Sequence, residues 1–144
     1  MTRDIMLAID AKAELAAIVR ALTTAEGLAA FWTPDVTAEA RVGSEARFGF
    51  QGAPVDLRMH IDAIEPRRRV AWSCLGDFPH WGGTKISWEL SPAGGDATRV
   101  LFKHTGFSDA QPEAEFASVG YTWSSILGAL QAYLETGTAK PALP

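Results

Sequence analysis

The sequence predicts an α+β domain in which a curved antiparallel sheet of about seven strands wraps around a long C-terminal helix, with two short helices after the first strand. Three observations lead to this fold class. Apolar and polar residues alternate over several short segments, these segments are joined by short turns rich in glycine and proline, and the C-terminal part carries an apolar stripe at helical spacing. Because one face of such a sheet is apolar, it needs a cover, and the striped helix can provide it.

The first elements are a strand and two helices. Ile5–Ile9 reads as the strand, and Asp10 is placed to cap a helix over about Ala11–Leu22, which is rich in alanine and apolar along one face. A second, short helix is predicted over Thr24–Phe31, and Pro34 prevents it from continuing.

Six more strands follow, and alternation predicts which side chains face inward. In the longest of them Val55, Leu57, Met59 and Ile61 share one face, while polar residues occupy the other. The predicted strands are Val36–Ala40, Glu45–Gln51, Val55–Ile64, Val70–Leu75, Lys85–Leu90 and Thr98–Gly106.

The connection Gly76–Thr84 is longer than the other turns and places the rings of Phe78, His80 and Trp81 in a loop, which is unusual for apolar side chains. The last element is a helix over Glu113–Thr136 that ends at Gly137. Its apolar stripe consists of Phe116, Val119, Trp123, Ile126, Leu127, Leu130, Tyr133 and Leu134.

Two glycines, Gly120 and Gly128, lie inside this helix, where each costs about 1 kcal/mol relative to alanine. Either another surface approaches the helix closely at these points, or room is left beside it. The tail, residues 138–144, is expected to be loosely ordered.

Composition narrows the function classes. The chain has 144 residues, 13 Lys or Arg, 17 Asp or Glu and a net charge of −4, so we expect one domain over residues 1–144. Mild acidity argues against a nucleic-acid partner, because phosphate binding needs a dense basic surface. No apolar run approaches the roughly 18 residues of a membrane span. The N-terminus has no signal-peptide core, which predicts a cytoplasmic protein.

Cofactors and metals are not expected. The single cysteine, Cys74, cannot form an internal disulfide and argues against a structural zinc site. The three histidines lack the spacing of a metal site, and no glycine-rich phosphate loop is present. No pair of carboxylates falls on the inward face, so glycosidase-type acid–base chemistry is unsupported. Cys74 itself is predicted to be an inert, inward-facing side chain.

Three segments of the chain resemble a known family. They are IDA at residues 9–11 leading into ALTTAEGLAAFWTP at 21–34, HTGF at 104–107, and GYTWSSILGALQAYLETG at 120–137. In this order they resemble the START-like superfamily, also called SRPBCC or helix-grip. Within it, the branch they look most like is that of the activator of heat-shock-protein-90 ATPase.

The resemblance implies a long helix gripped by a seven-stranded sheet, with a cavity between the two. Members of the superfamily bind lipids, hormones, polyketides and other apolar molecules; some catalyse cyclisation and some assist chaperones. Because they share no universal catalytic residue, the resemblance implies a place for the site and no chemistry.

The predicted ligand-binding residues are the inward-facing side chains between sheet and helix, together with rings near the ends of that space. The alternative is that these rings simply fill the core. The predicted set comprises Trp32, Phe48, Phe50, Met59, Trp72, Trp81, Trp88, Phe102, His104, Trp123 and Leu127.

The inward-facing polar residue that stands out is His104, which shares its face with Val100 and Phe102. One hypothesis makes it a hydrogen-bond partner or an acid–base group for a ligand. The other makes it a structural histidine, satisfied by the protein. His80, with Asp77, is either a pocket rim or part of a solvated loop. His60 is interpreted as a solvated cross-strand partner on the outer face.

Three functions remain open. The first is binding of a small apolar or aromatic ligand, lipid-like or polyketide-like. The second is an interaction module for a chaperone ATPase, linked to the stress response, for which Arg67–Arg69 and the loop at residues 78–81 are the hints. The third is a cyclase-like or hydrolytic enzyme using His104 with Asp77, His80 or Tyr121. Both a monomer and a homodimer are compatible with the sequence.

Overall fold

A computed structural model describes residues 2–76 and 78–144 and confirms the α+β class. Two short helices follow the first strand, and the long helix closes the chain. In the described part the elements are β1 (Thr2–Ala11), α1 (Leu15–Thr23), α2 (Ala25–Phe31), β2 (Asp35–Thr37), β3 (Glu45–Gly49), β4 (Leu57–Glu65), β5 (Arg69–Leu75), β6 (Lys85–Pro92), β7 (Thr98–Ser108) and α3 (Glu113–Thr136).

The strands form one antiparallel sheet in the order β1-β7-β6-β5-β4-β3-β2. From β2 to β7 each strand pairs with the next strand in the sequence, and β1 pairs with β7 at the other edge. α3 and the two short helices lie on one face of this sheet, and the core lies between the two layers. No helix in the described ranges is long and apolar enough to cross a membrane.

The prediction for Asp10 was wrong. Asp10 lies within β1 opposite Arg99, and its carboxylate accepts hydrogen bonds from Arg99 Nε at 2.8 Å and Nη2 at 3.0 Å. The β1–β7 ladder continues to Ala11, and the first helix begins only after it, at Leu15. The long-range pairing with β7 therefore overrode the local capping signal.

Several strand boundaries also differ from the prediction; among them, β3 ends at Gly49 instead of Gln51, which leaves Phe50 outside the strand. The strand β2 is confined to Asp35–Thr37, the three residues that pair with β3. Val55 lies outside β4, which begins at Leu57, and Val55 is 37% exposed. The last pairs with β3 are Thr37–Arg47 for β2 and Phe48–Leu57 for β4.

A bulge near the end of β7 changes which residues face inward. Between the pairs Ile5–His104 and Arg3–Phe107, the β7 strand has one more residue than β1. Gly106 takes a φ of 92°, which glycine adopts without strain, and its N–H donates to Asp4 Oδ1 at 3.0 Å. As a result His104 and Phe107, three residues apart, are both fully buried.

The helix α3 presents its stripe to the sheet, where Trp123, Ile126, Leu127 and Leu130 are buried. A Cβ atom placed at Gly120 or Gly128 would meet nothing within 4 Å. Of the two explanations for these glycines, close approach of another surface is therefore excluded among the described residues. Gly137 ends the helix as predicted, with a φ of 75° and its N–H on the Tyr133 carbonyl.

The tail is attached to the end of α2, although its composition predicted loose order. The N–H groups of Lys140, Ala142 and Leu143 each donate to backbone carbonyls of the segment at residues 30–32, at 2.9 Å. This pairing brings Leu143 next to Trp32 at one end of the helix–sheet interface.

Candidate functional site

Rings fill most of the space between the sheet and α3. The ring of Trp123 lies 4.3 Å from Phe102 between centroids, and Trp88 lies 4.7 Å from Phe102. On the other side Trp32 lies 4.3 Å from Phe48. These separations are direct ring contacts, so this part of the interface is packed core.

The packing opens at one end into a cleft of about 230 Å³. It lies between the loop at residues 78–84, the N-terminal half of α3, the end of α2 and the tail. We call it the aromatic cleft and define it by its lining residues, which are Trp32, Phe50, Phe78, Trp81, Ser118, Val119, Thr122, Trp123, Ile126 and Leu143.

The rings of the aromatic cleft form a connected wall. Trp81 stacks on Trp123 with centroids 5.8 Å apart and planes inclined by 24°. Phe78 meets Trp81 edge to face at 5.3 Å and Phe50 at 5.8 Å. Phe50, Phe78 and Trp81 are only partly buried, whereas Trp123 is 1% exposed. Apolar ring surface is therefore left accessible on one side of the cleft.

Behind this wall lies His104, which is fully buried and hydrogen-bonded at both ring nitrogens. Trp123 Nε1 donates to His104 Nδ1 at 3.0 Å, and His104 Nε2 lies 2.8 Å from Thr84 Oγ1. The Thr84 hydroxyl donates its proton to the Trp81 carbonyl at 2.6 Å, so it must accept from His104 Nε2–H. The histidine is therefore the neutral Nε2–H tautomer.

Burial changes the protonation chemistry of His104 and of Cys74. It lowers the pKa of His104 from 6.5 to about 3 and raises the pKa of Cys74 from 9.0 to about 11. Cys74 Sγ lies 3.9 Å from His104 Nε2, a proximity that no pattern in the sequence predicts. With these pKa values the pair is a neutral thiol beside a neutral imidazole, which is not an activated nucleophile.

The other candidate polar residues that the structure describes do not lie beside His104. His80 takes a φ of 67° and its Nε2 lies 3.4 Å from Glu115 Oε2, at the start of α3. Tyr121 is 77% exposed on the outer side of α3, and Asp77 lies outside the described residues. The structure thus gives no second polar side chain beside the imidazole among these candidates.

The outer face of the sheet carries charged pairs. His60 is exposed on this face as predicted, but its partner is not across the strands: its Nδ1 lies 2.7 Å from Oδ1 of Asp62, two residues along the same strand. Asp62 also accepts from Ser73 on the neighbouring strand. Arg68 and Arg69 both pair with Glu65, at 3.7 Å and 3.4 Å. Within the described ranges no group of three His, Cys, Asp or Glu side chains is placed to hold a metal ion.

The structure divides the predicted ligand-binding set. Trp32, Phe50, Trp81 and Trp123 line the aromatic cleft. The remaining predicted residues are buried and do not line it; they are Phe48, Met59, Trp72, Trp88, Phe102, His104 and Leu127.

Six lining residues were absent from the predicted set: Phe78, Ser118, Val119, Thr122, Ile126 and Leu143. The four on α3 share one helical face with Trp123, so helical spacing could have found them. Phe78 could also have been included, because the sequence shows it as an aromatic residue in a loop. The position of Leu143 depends on the pairing of the tail with α2, which no local pattern encodes.

Comparison with known proteins places this geometry in a family. Residues 12–135 match the family described as Activator of Hsp90 ATPase homolog 1-like protein. The solution structure of the Aha1 dimer from Colwellia psychrerythraea is 31% identical, with a TM-score of 0.82 over 94% of this chain and 98% of that one. No curated protein matches the chain significantly.

Two crystal structures are also similar to this chain. DynU16, from the dynemicin biosynthetic locus, is 25% identical with a TM-score of 0.75, over 98% of this chain and 49% of that one. CalU16 from Micromonospora echinospora is 22% identical with a TM-score of 0.71, over 96% of this chain and 78% of that one, and shows the shared fold.

Proposed function

Since this chain belongs to the Activator of Hsp90 ATPase homolog 1-like family, in the START-like fold class, we propose that it binds a small aromatic ligand in the aromatic cleft. The observation that carries the proposal is the row of Phe50, Phe78 and Trp81, three rings that stay partly accessible around a concave space. Concave, mostly apolar sites are where small molecules bind proteins.

The size of the cleft limits the ligand. Its volume of about 230 Å³ lies below the roughly 300–1,000 Å³ of pockets for drug-sized molecules. One or two fused rings fit that space better than a lipid chain or a large polycycle. A flat ligand would cover the exposed ring surface of Phe78 and Trp81, and this burial of apolar area supplies the driving force.

The proposal is tested with naphthalene as the probe, followed by NMR at the indole N–H groups of Trp81 and Trp123. We expect saturable shifts at both groups. The variant Val119→Trp fills the cleft and should abolish them. The matched control is Val42→Trp, which makes the same change at a residue that is 53% exposed in a distant turn. Naphthalene binding that is absent, or equal in the two variants, would contradict the proposal.

A second candidate function is docking to an Hsp90-type chaperone ATPase. The observation that favours it is the 31% identity to the Aha1 dimer over nearly the full length of both chains. The loop carrying Phe78 and Trp81 offers accessible apolar rings for such a contact. Binding should be measured with the intact chain and with Phe78→Ser, using purified chaperone. Absence of binding at tens of micromolar in both would remove this candidate.

A further inference from the structure

Two hydroxyl side chains interrupt the otherwise apolar lining of the aromatic cleft. Ser118 and Thr122 lie one turn apart on α3, on the same helical face as Trp123. Ser118 is exposed and Thr122 is half-buried, so the pair lies at the mouth of the cleft, with the rings deeper inside.

The hydrogen bonds within the protein determine whether Thr122 can donate to a ligand or accept from it. Its hydroxyl donates to the backbone carbonyl of Ser118 at 3.0 Å, which uses its single proton. What remains is acceptor capacity on Oγ1. The indole N–H of Trp123, a donor in the same wall, is committed to His104. A ligand group that pairs with Thr122 in this arrangement must therefore be a donor.

Charge on the ligand is disfavoured. No lining residue that the structure describes carries a charge. The nearest charged group on α3 toward its start is Glu115, which pairs with His80, and Glu113 adds a second negative charge in the same turn. A carboxylate entering the cleft would lose hydration without gaining a cationic partner among the lining residues.

Resting on the proposed function, we infer that the ligand class of the aromatic cleft is a neutral, planar aromatic molecule that carries an O–H or N–H donor at one edge. The rings of the cleft hold the apolar body, and Thr122 Oγ1 accepts from the donor. Thr122 is therefore a specificity-determining residue.

The test uses four probes of one shape: naphthalene, 2-naphthol, 2-methoxynaphthalene and 2-naphthoate. One net hydrogen bond corresponds to an affinity change of about 3- to 10-fold. We expect Thr122→Val, which keeps the side-chain shape, to weaken 2-naphthol by that factor. Naphthalene and 2-methoxynaphthalene should change less than about twofold, and 2-naphthoate should bind at least about 10-fold more weakly than 2-naphthol.

Two further variants complete the design. Thr122→Ser keeps the hydroxyl and should retain the affinity for 2-naphthol. Thr136→Val is the matched control, because the Thr136 hydroxyl makes the same bond to the carbonyl four residues earlier, at 2.7 Å, but lies at the other end of α3. It should leave all four affinities unchanged.

The outcomes separate the inference from the proposal on which it rests. Equal weakening of naphthalene and 2-naphthol by Thr122→Val would overturn the inference and leave aromatic binding intact. Binding of 2-naphthoate as tight as that of 2-naphthol would do the same. If none of the four probes binds, both the inference and the proposed function fall.

Discussion

The two ends of the helix–sheet interface contain the same kinds of side chain in opposite states. At the inner end Trp88 and Phe102 are fully buried against Trp123. At the outer end Phe50, Phe78 and Trp81 make similar ring contacts but remain partly accessible around the aromatic cleft. The type of residue therefore does not distinguish core rings from rings of the candidate site. What distinguishes them is whether neighbouring elements cover the ring.

The largest expected effect is on stability at the inner end. Trp88→Ala should lower the free energy of unfolding by about 3–5 kcal/mol, as for other large buried rings. The indole N–H of Trp88 is buried without an acceptor among the described residues, so the loss comes from packing. Trp81→Ala at the outer end should cost about half as much, because part of that ring is already in water.

Urea unfolding of the two variants and the wild type measures this difference. Equal losses for Trp88→Ala and Trp81→Ala would mean that the outer rings belong to the core as fully as the inner ones. The distinction between the two ends would then fail.

The second effect is a pH dependence that originates at His104. Its pKa in the folded protein is about 3, against 6.5 ordinarily, so below pH 6.5 the unfolded chain binds a proton that the folded protein does not. Stability is therefore fully present above pH 6.5 and falls by up to about 1.4 kcal/mol per pH unit as the pH decreases toward 3.

The measurement is urea unfolding between pH 7 and pH 4 for the wild type and His104→Gln. Glutamine does not titrate and can still accept from Trp123 and donate to Thr84. As the pH falls, the wild type should lose stability relative to His104→Gln. A difference that stays constant with pH would mean that the pKa of His104 is the same in the folded and unfolded states, contrary to its burial.

Sequence patterns predicted which side of each strand faces the core, but not how completely each ring is covered. Alternation placed His104 inward correctly, because the ladder of β7 is regular up to that residue. It could not place Phe107 inward, since the bulge at Gly106 shifts the alternation. The capping assignment of Asp10 failed for a related reason: its partner Arg99 is far away in the sequence.

The candidate site was less predictable than the fold because it is defined by space between elements. Alternation and helical spacing describe the faces of single elements, whereas the aromatic cleft is a space left between the loop at residues 78–84, α3 and the tail. Rings in a loop were the useful local signal, since Phe78 and Trp81 both line the cleft.

The smallest expected change in stability is at Phe78, and there it should come with a clear change in binding. Phe78 contacts Phe50 and Trp81 only at the edge of the ring network and is partly exposed. Phe78→Ala should lower the free energy of unfolding by less than about 1.5 kcal/mol. The affinity for naphthalene should fall several-fold, because one face of the cleft is lost.

Thermal unfolding and the naphthalene titration are performed on the same sample. Together they distinguish a residue that contributes to ligand binding from one that contributes to the stability of the core. If Phe78→Ala bound naphthalene as well as the wild type, the ligand would lie away from Phe78 in the cleft, and this ring would have no binding role.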